Sequence, residues 1–233
     1  MARSAILTIE PIGLGGVPTM VKAVDGLLRR WGHAPTLIYT DAESVPTDGL
    51  RSLARYLVRH PLPRREMRDG LNGLAIPLWP LPQWLNYYTP LIAARRELSA
   101  EVRVLVAGSA HTGLPFAVSR RPFLAWVATV YDEEIEARVS AGDEWARRLR
   151  QGRDWPRLRR QEARVLEATS IVLALSPHTA DEIRRRFPAV APRVRTLVCP
   201  IDTDVFRPAR SPLLLGEGPG VRPAVGGRFL LFT

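Results

Sequence analysis

Residues 13–16, Gly13-Leu14-Gly15-Gly16, stand between a short β-rich apolar run at 5–10 and an amphipathic segment at 17–31. In that segment Val17, Met20, Val21, Val24, Leu27, Leu28 and Trp31 recur at three- and four-residue spacings, the period of a helix with one apolar face, and Gly32 is its stop signal. A second β-type run at 36–39 follows and ends near Asp41. Strand, glycine loop, helix and strand in that order make a βαβ unit, so the chain is expected to build a parallel sheet flanked by helices. The fold class read from this start is α/β, Rossmann-like.

Glycines at such a junction let the backbone approach a ligand closely and aim amide N–H groups at an anion, although a tight turn alone can need them. A dinucleotide fingerprint would place a third glycine at position 18, where this chain has Pro18. A nicotinamide-dependent enzyme, with Asp41 as the ribose-binding acid, therefore stays open as an alternative on weak grounds.

Further along, residues 102–107, 122–131, 171–175 and 193–198 read as strands, and 113–118, 143–168 and 176–187 as helices. Pro156 is expected to break or restart the second helix, and Ser176 to cap the third. Residues 50–59 read as a helix and 64–69 as a charged turn, while the prolines of 74–92 forbid one continuous helix there. Trp79, Trp84, Tyr87 and Tyr88 in this stretch suit packing over the core, stacking on sugar rings, or, with Arg64, Arg65, Arg68, Arg95 and Arg96, an anionic lipid surface. After Phe206, residues 207–227 have the proline and glycine content of a linker, and 228–233 read as a fresh strand. An apolar strand left unpaired is an aggregation hazard, which favours a truncated chain.

Composition narrows the function classes. With 46% hydrophobic and 24% charged residues over 233 positions, the chain has enough apolar material for a globular core. Its single cysteine, Cys199, rules out a disulfide scaffold and completes no metal-ligand set. No apolar run reaches membrane-spanning length, and the N-terminal run is too short for a signal peptide, so a cytoplasmic protein is expected. The net charge of +10 comes from 32 arginines and one lysine. That charge suits a solvated basic face, an anionic membrane or a phosphate-rich substrate; no nucleic-acid-binding motif accompanies it.

The stretch from Glu162 to Pro208 carries a resemblance. A helix with Glu162 leads to a strand ending Leu175-Ser176, then a helix, a strand and Pro200-Ile201-Asp202-Thr203-Asp204-Val205-Phe206-Arg207-Pro208. This order resembles the retaining glycosyltransferases of family 4, which have the two-domain GT-B fold and a hinge of the form P-x-G-V-D-x-x-x-F-x-P. The aspartate, phenylalanine and final proline are kept, and the glycine of the pattern is not. Gly13-Leu14-Gly15-Gly16 is similar to the family's first loop. Residues 122–133 look like the family strand ending in Thr-Val-His-Asp, with Tyr131 at the histidine position and Asp132 kept. Tyrosine can hydrogen-bond a sugar hydroxyl but cannot exchange protons as histidine does near neutral pH.

The resemblance implies transfer of a sugar from a nucleotide-sugar to an acceptor hydroxyl, with retention of anomeric configuration. It is a hexosyltransferase-type reaction needing no metal and no cofactor beyond the nucleotide-sugar co-substrate. The chain is expected to supply the acceptor-side domain at 1–206, a linker at 207–227 and the first strand of a donor-binding domain at 228–233, and so to be inactive alone. Expected at the cleft are Tyr131 and Asp132 as catalytic-wall residues and Gly13, Gly15, Gly16 and His111 as substrate-binding residues. His111 follows a strand, and a lone loop histidine is more often a surface residue than a functional one. Expected partners are the nucleotide-sugar, a glycan or lipid-linked acceptor and, at the inner face of the membrane, anionic lipid. Glu136 and Glu144 share the family's Glu-x7-Glu spacing but lie in a charged stretch of the wrong half, and read as coincidence. A non-catalytic acceptor-binding half, dependent on a partner chain, is the standing alternative.

Overall fold

A computed structural model describes residues 2–9, 15–41, 62–79 and 81–199. The chain divides into a unit spanning Met1–Pro200 and a second, Ile201–Thr233, which lies outside the described residues. The expected helix at 50–59, Gly13, the hinge from Pro200, the linker and the last strand also lie outside them.

The first unit is built on one sheet of β1 (Ala2–Thr8), β2 (His33–Asp41), β3 (Arg64–Arg68), β4 (Leu71–Pro77), β5 (Val102–Ala107), β6 (Leu124–Val127), β7 (Ile171–Ala174) and β8 (Val194–Thr196). Their order across the sheet is β3-β4-β2-β1-β5-β6-β7-β8. Every neighbouring pair is parallel except β3 with β4. Setting β3 aside, the chain runs outward from β1 through β2 to β4, then returns beside β1 with β5 and runs the other way. That reversal is the doubly wound pattern, and it opens a crevice at the carboxyl ends of β1 and β5, where ligands of such sheets bind.

The helices are α1 (Gly16–Arg30), α2 (Gln83–Asn86), α3 (Thr89–Ala93), α4 (Arg95–Leu98), α5 (Leu114–Val118), α6 (Tyr131–Ser140), α7 (Glu144–Gln151), α8 (Trp155–Ala168) and α9 (Pro177–Arg186). Strand alternation feeds two cores. Ile6, Leu37, Tyr39, Val104 and Val106 meet Met20, Val21, Val24 and Leu28 of α1 on one face of the sheet. Ala5, Leu7, Ile38, Leu105, Ala125 and Val127 meet Leu114, Phe116, Val165, Leu166 and Ile183 on the other. Each such buried aliphatic side chain contributes about 2 kcal/mol of transfer free energy.

The charged turn expected at 64–69 is a strand. Arg64–Arg68 pairs antiparallel with β4 through Asp69 and Gly70, whose φ angles of 50° and 79° are the positive pair a two-residue hairpin turn requires. Polar residues on both faces of an edge strand erase the alternation that would have revealed it. Pro156 falls in the first turn of α8, so the charged segment restarts there, as expected. The 74–92 stretch finishes β4 and then forms α2 and α3. Tyr87, Tyr88 and Leu91 pack against the core, and Asn86 is fastened to the backbone of Trp79 and Leu81.

Candidate active site

The crevice between β1 and β5 begins at the N-terminus of α1. Gly15 is the N-cap and, as a glycine, offers no side-chain cap; the first turn holds no acidic residue, whereas Arg29 and Arg30 occupy the last turn. Among the described residues, the N–H groups and the positive end of the dipole of α1 therefore meet no acid from its own first turn. Both glycines are exposed. Among the described residues, a Cβ on Gly16 would meet nothing within 4 Å, and one on Gly15 would meet only Pro18 Cδ at 3.8 Å. The Gly15 backbone is extended, with φ 162° and ψ 171°. Among the described residues, neither packing nor backbone conformation thus demands glycine at these positions.

Across the crevice, the ends of β5 and β6 carry a hydrogen-bonded chain of buried polar groups. Ser109 Oγ donates to Glu134 Oε2 at 3.0 Å and lies 3.0 Å from His111 Nδ1. His111 Nε2 lies 3.1 Å from the Tyr87 hydroxyl, which accepts from Gln83 Nε2 at 2.9 Å. With the one Ser109 proton committed to the carboxylate, His111 must donate from Nδ1–H, and its bare Nε2 must accept from Tyr87. Ser109 and His111 are fully buried. Desolvation drives the His111 pKa down to about 3, so the imidazole is neutral.

The sequence-predicted residues fall into two groups. His111 and Tyr131 come together, ring centroids 4.0 Å apart, with Trp155 5.4 Å beyond Tyr131. His111 is a core histidine, which corrects the reading of it as a surface loop residue: Tyr87 and Tyr131 cover it. Tyr131 is likewise buried, and burial pushes its phenol further up from its ordinary value. Its backbone N–H donates to Glu162 Oε1 at 3.0 Å. Glu162 thereby caps α6, whose N-cap residue Val130 has no side-chain acceptor of its own. Burial, with smaller repulsion from Asp132 and Glu134 and against the pull of the Tyr131 and Ala110 N–H groups, raises the Glu162 carboxyl to about 8. Asp132 stands apart from His111, bridging Arg159 at 2.9 Å and Arg186 at 2.8 Å. Gly15 and Gly16 sit at the other wall, on α1.

Sequence reasoning did not single out Ser109 or Glu134. Their place at the carboxyl ends of strands beside the reversal point was the available signal. Among the described residues, no three His, Cys, Asp or Glu side chains gather as a metal site. Nor is any helix there long and apolar enough to cross a membrane.

Comparison with known proteins bears on this arrangement. The family described as Glycosyltransferase Family 4 matches residues 14–205 of the chain. No curated protein matches. Among solved structures, the apo UGT2 of Phytolacca americana is similar at 12% identity with a TM-score of 0.46, over 83% of this chain. The chain spans about half of that structure, 51% of its length.

Proposed function

The chain belongs to glycosyltransferase family 4, and from that membership we propose that it is the acceptor-side, N-terminal half of a retaining GT-B enzyme. The reaction moves a hexose from a nucleotide-sugar to an acceptor hydroxyl, in the cytoplasm. The family match over residues 14–205 is the observation that carries the reading, and it favours sugar transfer over the nicotinamide alternative.

The geometry supports it on two points. At the crevice, the uncapped N-terminus of α1 and the exposed backbone of Gly15 and Gly16 suit an anionic or hydroxyl-rich ligand approaching closely. Opposite them, the Glu134 carboxylate stands at the end of the buried Gln83–Tyr87–His111–Ser109 chain, a preorganised acceptor for a sugar hydroxyl. His111 and Tyr131 support that wall from below; neutral and buried, they hold its shape and do not move protons to solvent. Asp132 acts by fixing the start of α6 to α8 and α9. The acceptor is a glycan or a lipid-linked saccharide. Ile92, 84% exposed beside the exposed Arg95 and Arg96, is in keeping with reaching it at an anionic membrane surface.

The test is release of nucleoside diphosphate from a panel of nucleotide-sugars, with cell extract supplying acceptor and any donor-binding partner. The product anomer is read by proton NMR. Acceptor-dependent release with retention, abolished by Gly16→Trp, is expected. Tight binding of NAD(H) by the chain, or release that Gly16→Trp leaves intact, would overturn the assignment.

A further inference from the structure

Outside the crevice, α8 and α9 enclose a hollow of about 690 Å³ whose walls carry Arg159, Arg160, Arg185 and Arg186. Three of these belong to an alternating chain of charge. Arg159 pairs with Asp132, Asp132 with Arg186, Arg186 with Glu182 at 2.9 Å, and Glu182 with Arg185. Both ends of the chain are guanidiniums, so two carboxylates serve three arginines. Arg160 adds a fourth cation: its Nε donates to the Pro156 carbonyl at 3.2 Å, and no carboxylate pairs with it among the described residues. Glu162, on the floor, is fully buried and held toward its neutral form by desolvation. Arg159, Arg160, Arg185 and Arg186 thus outnumber the carboxylates that reach them, Asp132, Glu182 and the Glu133 that attracts Arg185, and each paired guanidinium retains N–H donors its carboxylate does not use.

The wider sequence points the same way. Residues 138–195 hold 14 arginines against 7 acidic residues, which accounts for most of the chain's net charge of +10. A solvated basic face would scatter that excess over convex surface; here four guanidiniums converge on one concavity.

We propose that the hollow between α8 and α9 binds a phosphate-bearing dianion, a phosphomonoester or a diphosphate, through Arg159, Arg160, Arg185 and Arg186. The site goes beyond the glycosyl-transfer reading and does not depend on it. Planar guanidinium forks matched to phosphate oxygens supply the recognition, and the excess of arginine over carboxylate favours an anion. The phosphate belongs either to a soluble metabolite or to a lipid headgroup.

Titration calorimetry of the chain with inorganic pyrophosphate at low ionic strength tests the site. Saturable one-to-one binding is expected, weakened about tenfold by Arg160→Gln through loss of a charge-assisted hydrogen bond. Ala163→Glu, which sets a carboxylate against the same wall, should abolish it. Arg30→Gln removes an equal charge from exposed surface of α1 and should leave affinity within about twofold, the size of a screened long-range term. Thermal midpoints of all three variants exclude unfolding as the cause. Absence of saturable binding, or equal losses in Arg30→Gln and Arg160→Gln, would overturn the proposal. Flotation with phosphatidic acid vesicles, against phosphatidylcholine, separates the sources. Flotation lost in Ala163→Glu assigns a lipid headgroup; pyrophosphate binding without flotation assigns a soluble ligand. Flotation indifferent to Ala163→Glu, with no pyrophosphate binding, would remove the hollow from consideration.

Discussion

Two helix N-termini face the carboxyl edge of the same sheet and treat their free N–H groups in opposite ways. That of α6 is internally satisfied: Asp132, Glu133 and Glu134 fill its first turn, and Glu162 arrives from α8 to take the Tyr131 N–H. That of α1 has, among the described residues, neither a side-chain cap from its N-cap residue nor an acid in its first turn. Since an uncompensated helix start costs stability, the contrast lies in what the described residues supply: the α6 end is organised by the fold, and the α1 end has no such partner among them.

The largest expected effect breaks the satisfied side. His111→Ala leaves the Tyr87 and Ser109 hydroxyls without their buried partner and opens a cavity beneath Tyr131. A loss of about 3 kcal/mol in stability is expected, read by urea denaturation.

The pH dependence of stability sharpens the same point. His111, with its folded pKa depressed from 6.5 to about 3, binds its proton more readily when unfolded, so its contribution is complete above pH 6.5 and fades as pH falls. Glu162, with its folded pKa raised from 4.5 to about 8, binds its proton more readily when folded, so its contribution is complete below pH 4.5 and is lost as pH climbs through 8. Stability from this pair is therefore greatest between pH 4.5 and 6.5. Between pH 6.5 and 8 it falls by about 1 kcal/mol per pH unit. Denaturation midpoints for Glu162→Gln across this range should lose the alkaline decline; a decline that persists would place the titrating group elsewhere.

Smaller effects follow from single contacts. Glu134→Gln weakens a charge-assisted bond to Ser109 and should cost about 1 kcal/mol by the same urea measurement. Gly16→Asp inverts the logic of the other helix. It supplies the missing acid to α1 and should stabilise the chain by about 0.5 kcal/mol, while nucleotide-sugar turnover falls. A variant that is destabilised, or stabilised with turnover intact, would refute the idea that this N-terminus is held open for a ligand.

How far the sequence foretold these features depended on the range of the interactions involved. The glycine loop, the periodic face of α1, β5 at Val102–Ala107 and the Ser176 cap of α9, whose Oγ accepts from the Thr179 N–H at 3.0 Å, are written in adjacent residues and were legible. The burial of His111 was not, because its cover, Tyr87 and Tyr131, comes from 24 and 20 positions away through packing that only the sheet order creates. Edge strand β3 was missed for a different reason. Arg-Arg-Glu-Met-Arg shows no apolar face, and only the Asp69-Gly70 pair beside it spelled out a hairpin.

That strand has a consequence for how the molecule behaves in company. Among the described residues the sheet ends on β3, whose exposed Arg64 and Arg65 and half-buried Arg68 line the border at which another strand would have to join. A second β3 edge joining in antiparallel register would set Arg64 opposite Arg68 and Glu66 opposite Glu66, like charges that oppose lateral pairing. The charges of that border thus disfavour the addition of a further strand to β3.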